Sequence, residues 1–218
     1  MMQLEKKLKE FGSVPVGHGT LLSILGDYRS PNDKISRMIG DGLLLPIRKG
    51  LYCVAPDVTG IPISLPLVAN QLYGPSYVSM EFALSYYGLI PERVVELTSM
   101  TTKRGKRYDL PVGRFSYTHS PPELYAVGID RIESADRTGF LMASPEKALC
   151  DKLMFTRQLN VQSRRGMQAL LFDDLRIEEE SLARFDPDVI RECMAAGVKA
   201  EMLDALLQVL ESIKREAS

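Results

Sequence analysis

The chain has 218 residues, 45% hydrophobic and 25% charged, enough apolar content for one large folded domain or two small ones. Its 27 basic and 28 acidic residues leave a net charge of −1, so composition imposes no nucleic-acid or membrane partner, and any such role must come from local patches. Three scattered cysteines (Cys53, Cys150, Cys193) and two histidines (His18, His119), with no C-x-x-C spacing, argue against a disulfide framework and a structural zinc site. No apolar run reaches membrane-spanning length, and the charged start MMQLEKKLKE lacks the apolar core of a signal peptide, so a cytoplasmic protein with no membrane partner is expected.

Residues 3–11 form a short amphipathic segment with Leu4, Leu8 and Phe11 on one face. A second short helix is expected over 18–25, with Leu21, Leu22 and Leu25 inward. A third follows in which Ser30 is the N-cap, Pro31 takes the first helical position and Ile35, Met38 and Ile39 make the buried stripe before Gly42 closes it. Two short strands over 43–47 and 51–54 then flank a basic turn at Arg48, Lys49 and Gly50. Three short helices followed by a small basic hairpin is the order of a winged helix-turn-helix. The candidate DNA-binding residues are Ser30, Asn32, Lys34, Ser36 and Arg37 around the third helix, able to reach phosphates or base edges, with Arg48 and Lys49 on the wing. A generic interaction domain is the competing reading, because any solvated helix opposes polar residues to an apolar stripe.

Pro56, Gly60 and Pro62 mark a boundary, and a helix is expected over 64–72. The next stretch reads as a helix starting at a Ser79 cap and ending at Gly88, apolar nearly all round and therefore buried, followed by a run of antiparallel strands over 94–102, 107–110 and 114–118. The bend carrying Lys103, Arg104, Lys106 and Arg107 is the densest positive charge in the chain. It is either a solvated hairpin tip or a contact for phosphate or an acidic partner. Further strands are expected over 124–129 and 140–143, with turns at Pro121, Pro122 and in the acidic loop between them. A helix then starts at Ser144 and Pro145, and four more segments, 161–172, 178–185, 187–196 and 200–215, read as helical. The stripe Leu203, Leu206, Leu207, Leu210 and Ile213 of the last reads as core-docking, with a dimer seam as the alternative.

The fold class expected is thus α+β: an N-terminal winged helix-turn-helix over 1–57, a linker and connecting helix over 58–73, and over 74–218 a mixed α/β domain with antiparallel strands and a helical C-terminal part. Catalytic signatures do not emerge. A metal-dependent nuclease needs an acid-x-lysine pair on a strand, whereas Glu146 and Lys147 are adjacent on a helix start, and no nucleophile elbow, P-loop or dinucleotide fingerprint occurs. Asp151 reads as a buried carboxylate bonded to a cation such as Lys147, the lone histidines as structural or solvent-facing, and Tyr73, Tyr77, Tyr86 and Tyr87 as core packing rather than a base-stacking platform. No enzyme, cofactor or metal is expected.

With the basic hairpin at Arg48, the segment GPSYVSMEFALSYYGLIPE at 74–92, RYDLPVGRFSYTH at 107–119 and FLMASPEKALCDKL at 140–153, the chain resembles the AbiEi family of antitoxins and transcriptional regulators, in order over nearly its whole length. That resemblance implies an N-terminal winged helix-turn-helix binding inverted repeats in double-stranded DNA of its own promoter, and a C-terminal domain that counters an AbiEii-like nucleotidyltransferase toxin without a stable complex. On it, Asn32, Lys34, Arg37, Arg48 and Lys49 are the DNA-reading surface, and Arg104, Lys106 and Arg107 belong to a basic face of the second domain.

Overall fold

The structure is a computed structural model describing residues 2–134 and 138–216. It is a mixed α+β arrangement built on two sheets, a three-stranded one near the N-terminus and a six-stranded one after it.

The N-terminal unit comprises α1 (Met2–Lys9), β1 (Val16–Gly17), α2 (His18–Ile24), α3 (Pro31–Gly40), β2 (Leu44–Arg48) and β3 (Leu51–Val54), with sheet order β1-β3-β2, all antiparallel. Its own core gathers Leu8, Leu21, Leu25, Ile35 and Met38, the positions that the 3.6-residue period selects, together with Leu44, Val54 and Val58. Gly42 and Gly50 sit at φ +73° and +78°, the left-handed conformations that the helix stop and the β2–β3 turn require. The short helix α4 (Pro56–Thr59) ends the unit, and Ile47, Leu51 and Cys53 on the far side of the hairpin join the larger core, so the two units are packed together.

The larger unit begins with α5 (Leu65–Leu72), capped by the Ser64 hydroxyl, which accepts from the Leu67 N–H. Then come β4 (Ser76–Val78), α6 (Met80–Tyr86), β5 (Glu96–Thr101), β6 (Lys106–Leu110), β7 (Gly113–His119), α7 (Pro122–Tyr125), β8 (Ile129–Glu133), β9 (Gly139–Ala143) and α8 (Pro145–Phe155). Last are α9 (Arg164–Ala169), running into a π-type turn at Leu170–Asp174, α10 (Glu179–Ala183), α11 (Pro187–Ala195) and α12 (Ala200–Glu216). Leu203, Leu206, Leu207, Leu210 and Ile213 of α12 are all buried in this protein's own core, each removing apolar area worth roughly 1.5–3 kcal/mol.

The sheet order β6-β7-β5-β4-β9-β8 departs from the antiparallel run expected from the sequence. β5 lies parallel to β7, with Leu97 opposite Phe115 and Ser99 opposite Tyr117, and β4 meets β9 in parallel through Val78 and Met142. The basic bend is accordingly not a hairpin tip. Because β7 is inserted between β5 and β6, residues 102–105 cross over the end of β7, where His119 Nδ1 contacts the Lys103 carbonyl oxygen at 3.1 Å. The thin β4–β9 ladder is reinforced by Asn70 of α5, whose side chain donates to the Ser76 and Leu141 carbonyls, each at 3.3 Å, and accepts from the Leu141 N–H at 2.6 Å.

Other local differences have simple causes. The segment expected as a strand over 124–129 starts instead as α7, because Pro122 takes a first-turn helical position, and β8 begins only at Ile129. Neither Ser30 nor Ser79 caps its helix through the hydroxyl. At α6 that work falls to Thr98, which accepts from the Phe82 N–H at 3.1 Å and donates to the Ser79 carbonyl at 2.5 Å. Nor is α6 buried all round, since Tyr86 is 51% exposed. The acidic loop expected before Phe140 includes residues 135–137, which lie outside the described residues.

Candidate nucleic-acid interface

Helix α3 turns Ile35 and Met38 inward, and its opposite face leaves Asn32, Ser36 and Arg37 exposed and Lys34 partly so. Ser30, just before it, is exposed as well. Two of these side chains have local partners: the Ser36 hydroxyl donates to the Asn32 carbonyl at 3.1 Å, and Lys34 Nζ stands 5.9 Å from the centroid of the exposed Tyr28 ring. Asn32 and Arg37 have their side-chain polar atoms free for a ligand among the described residues. Asp33 and Asp41 flank this face, so its positive potential is modest.

Arg48 and Lys49 project at the exposed tip of the β2–β3 hairpin. The turn end of that hairpin is held to α2: the His18 N–H donates to the Gly50 carbonyl at 2.9 Å, and the Tyr52 hydroxyl lies 3.5 Å from His18 Nδ1. His18, partly buried, therefore ties α2 to the turn of the hairpin. Since α3 also packs against β2, one strand carries both the exposed helix face and the basic tip.

The second basic group is divided by the pleat. Lys103 and Lys106 lie over Tyr73, at 5.4 and 5.7 Å from its centroid, and Lys106 also over Tyr108 at 4.7 Å, on the side where Tyr73, Tyr108 and Tyr117 cluster. Arg104 is exposed on the crossover, its carbonyl accepting from the Tyr73 hydroxyl. Arg107 pairs across the sheet with Ser116 and so faces the other way, its side chain 86% exposed and 3.8 Å from Glu96.

Beneath the sheet is a charge cluster with no access to solvent. Asp151 Oδ2 accepts from the Ser79 hydroxyl at 2.7 Å and the Tyr77 hydroxyl at 3.0 Å, while Oδ1 meets Lys147 Nζ at 2.8 Å in an ion pair without an aligned hydrogen bond. Lys147 Nζ also donates to the Leu124 carbonyl at 3.1 Å and lies 5.8 Å from the Tyr77 ring centroid. Burial raises the Asp151 carboxyl, opposed by Lys147 and by the two hydroxyls. Burial, with the Asp151 charge beside it, also holds the Tyr77 phenol far above its ordinary range. Both charges being fully enclosed, the cluster fastens α8 to β4 and offers no route to a substrate. Glu146 is a second fastener: it accepts from the Ser144 hydroxyl at 2.8 Å and from the Asp186 N–H at 3.0 Å.

The lysine partner of Asp151 was visible in the sequence as an i, i+4 pair; Tyr77 and Ser79 were not, because their part depends on β4 lying beside α8. Among the described residues, no group of three or more His, Cys, Asp or Glu side chains is placed to hold a metal ion. No helix is long and apolar enough to cross a membrane among those residues. No protein-family model matches the chain, and no curated protein sequence matches it at a significant level.

Proposed function

We propose that this protein is a DNA-binding transcriptional regulator and antitoxin of the AbiEi type. In this reading the N-terminal unit is a winged helix-turn-helix that occupies inverted repeats in its own promoter, and the larger unit counters a nucleotidyltransferase toxin without forming a stable complex with it. The observation that carries the DNA half is the succession helix, strand, helix, helix, strand, strand, with sheet order β1-β3-β2, which hangs Asn32 and Arg37 of α3 and the basic wing tip Arg48–Lys49 from one strand. Phosphate contacts by the wing set affinity, and α3 sets sequence choice. The antitoxin half rests on the ordered resemblance of residues 74–92, 107–119 and 140–153.

The deciding experiment is binding of the purified protein to a labelled duplex from its own upstream region and to a scrambled duplex, across a salt series, with Arg37→Ala and Arg48→Ala alongside the parent. Preference for the native sequence, with a log–log salt slope that falls by about 0.9 for each phosphate contact removed, supports the reading. Equal, weak binding to both duplexes and variants that behave like the parent sink it in favour of a protein-interaction module. The antitoxin half is tested separately, by whether expression of the chain relieves growth arrest caused by a nucleotidyltransferase encoded beside it.

A further inference from the structure

One face of the β6-β7 edge of the large sheet is not covered by helix, whereas on the same side β5 is met by α6 at Thr98 and buries Met100. The register places Leu97, Ser99, Phe115 and Tyr117 on the opposite face, toward α5, where the Tyr117 hydroxyl donates to the Ala69 carbonyl at 2.7 Å. The uncovered face therefore presents Arg114, Ser116 and Thr118 at every second position of β7, with Arg107 opposite Ser116. The start of α6 and the end of α8 wall this face on one side, making an open groove of about 1100 Å³.

Arg107, Arg114, Lys152 and Arg157 line the groove against Glu81 and Glu96, with Asp109 in register with Arg114 on the same face, while the Lys106 ammonium lies on the other side of the sheet over Tyr73 and Tyr108. Lys152 is held by Glu81 at 2.6 Å and Arg107 loosely by Glu96. Among the described residues, Arg114 and Arg157 make no ion pair within 4.0 Å; Glu96 and Asp109 stand in register with Arg114 on its two sides, Glu96 being turned to Arg107. The hydroxyls of Ser116 and Thr118 likewise have no hydrogen-bond partner among the described residues. Near the rim, Val95 is 66% exposed and Phe155 partly so, giving an apolar surface on which a planar group can rest.

We propose that this groove binds a segment of single-stranded RNA, its phosphates running along β7 between Arg114 and Arg157 and its ribose hydroxyls meeting Ser116 and Thr118. The groove is open and, at about 1100 Å³, has room for an extended polymer segment. Same-face residues of β7 recur at about 7 Å, close to the phosphate repeat of an extended strand. An unpaired arginine followed along β7 by two hydroxyls, with a second unpaired arginine beyond α8, suits a phosphodiester backbone with 2′-hydroxyls. An acidic peptide is the rival occupant, and it is a comparator in the test. The proposal is independent of DNA recognition by α3 and the wing.

The test is fluorescence anisotropy of the full chain with labelled oligouridylate of about 12 nucleotides, within the ~4–16 nucleotides that such grooves cover. Comparators are the same sequence as DNA and a poly-glutamate peptide of equal length. With Arg114→Gln and Arg157→Gln combined, two phosphate contacts at ~0.7 each should lower the log–log salt slope by about 1.4, equivalent to roughly 25-fold weaker binding at about 0.1 M salt. Arg37→Ala with Arg48→Ala should leave RNA binding unchanged. Arg157→Gln alone, on an exposed side chain beyond α8, should lower the slope by about 0.7 and serves if the double variant melts early. Four results overturn the proposal: no RNA binding by the parent; loss with the wing variants and not the groove variants; equal affinity for the DNA strand; or groove-dependent binding of the acidic peptide in preference to RNA.

Discussion

Replacing Lys147 by methionine keeps most of the buried stem and deletes the ammonium 2.8 Å from Asp151. Asp151 is fully buried and its other oxygen already accepts from Tyr77 and Ser79, so the folded variant must hold an uncompensated carboxylate or take up a proton. Breaking a buried pair in this way costs about 3–5 kcal/mol, and with roughly 2–4 °C per kcal/mol for a chain of this size Tm should fall by roughly 6–20 °C. The pH dependence has a definite sign. Burial already raises the Asp151 carboxyl, and Lys147 is the largest influence opposing it, so the variant raises it further. A carboxyl whose folded pKa lies above its unfolded value of about 3.9 gives its full stabilisation below that value and loses it as pH rises through the folded pKa. The deficit relative to the parent should therefore be larger near neutrality than at mildly acidic pH. Urea unfolding followed by far-UV circular dichroism and tyrosine fluorescence, the chain having no tryptophan, measures both. A loss below about 1 kcal/mol, or one that grows toward acid, refutes this account of the cluster. Adding Asp151→Leu to the same chain should remove the pH dependence, since no buried charge is left, but recover only part of the stability, because the Tyr77 and Ser79 hydroxyls lose their acceptor.

Asn70→Leu removes the three hydrogen bonds that reinforce the β4–β9 junction and, at about 1 kcal/mol each, should lower stability by roughly 3 kcal/mol in the same unfolding assay, with faster amide exchange at Leu141. Lys199→Met takes a charged donor from the Leu153, Thr156 and Leu159 carbonyls, which it ties together at 2.9–3.1 Å past the end of α8; a loss of about 1.5–3 kcal/mol is expected, and a neutral result would show these carbonyls to be satisfied by water. Burial pushes the Cys53 thiol up to about 12 and the Cys150 thiol is held well above its usual range, while Cys193 is lowered by its contact with Cys150 but remains buried. A thiol-reactive disulfide reagent at mildly alkaline pH should label none of the three in the native protein and all three after unfolding.

The elements that were legible are those with punctuation at both ends. α3 has Pro31 at its start and Gly42 beyond its end, and α8 has a Ser144–Pro145 start at which the hydroxyl does accept from the Lys147 N–H. Strand positions were legible too, because Phe115 and Tyr117 alternate with polar neighbours. Strand partners were not. The pattern of 96–119 is the same whether β5 meets β6 or β7, and the contacts that accompany the insertion of β7 are distant in sequence, as where the Tyr117 hydroxyl donates to the Ala69 carbonyl of α5. That one uncertainty turned a crossover into an expected hairpin tip and concealed the uncovered sheet face with Arg114 and Arg157. Similarly, Ser79 has the local signature of a cap, and a buried carboxylate 72 positions away claims its hydroxyl instead.

The same long-range pairing sets an order of events on the ribosome. The core of the N-terminal unit closes among residues up to Val58, so that unit can assemble as soon as those residues clear the exit tunnel. The central strand β4 acquires its second neighbour through Met142, and Tyr77 and Ser79 wait longer still, for Asp151. A nascent chain halted anywhere between these points carries a finished first unit followed by a strand with one open edge, a template for pairing with its neighbours on a polysome. Truncations meant to isolate the first unit belong close after residue 60, with Ile47, Leu51 and Cys53 made polar to replace the cover they lose, and not inside the sheet.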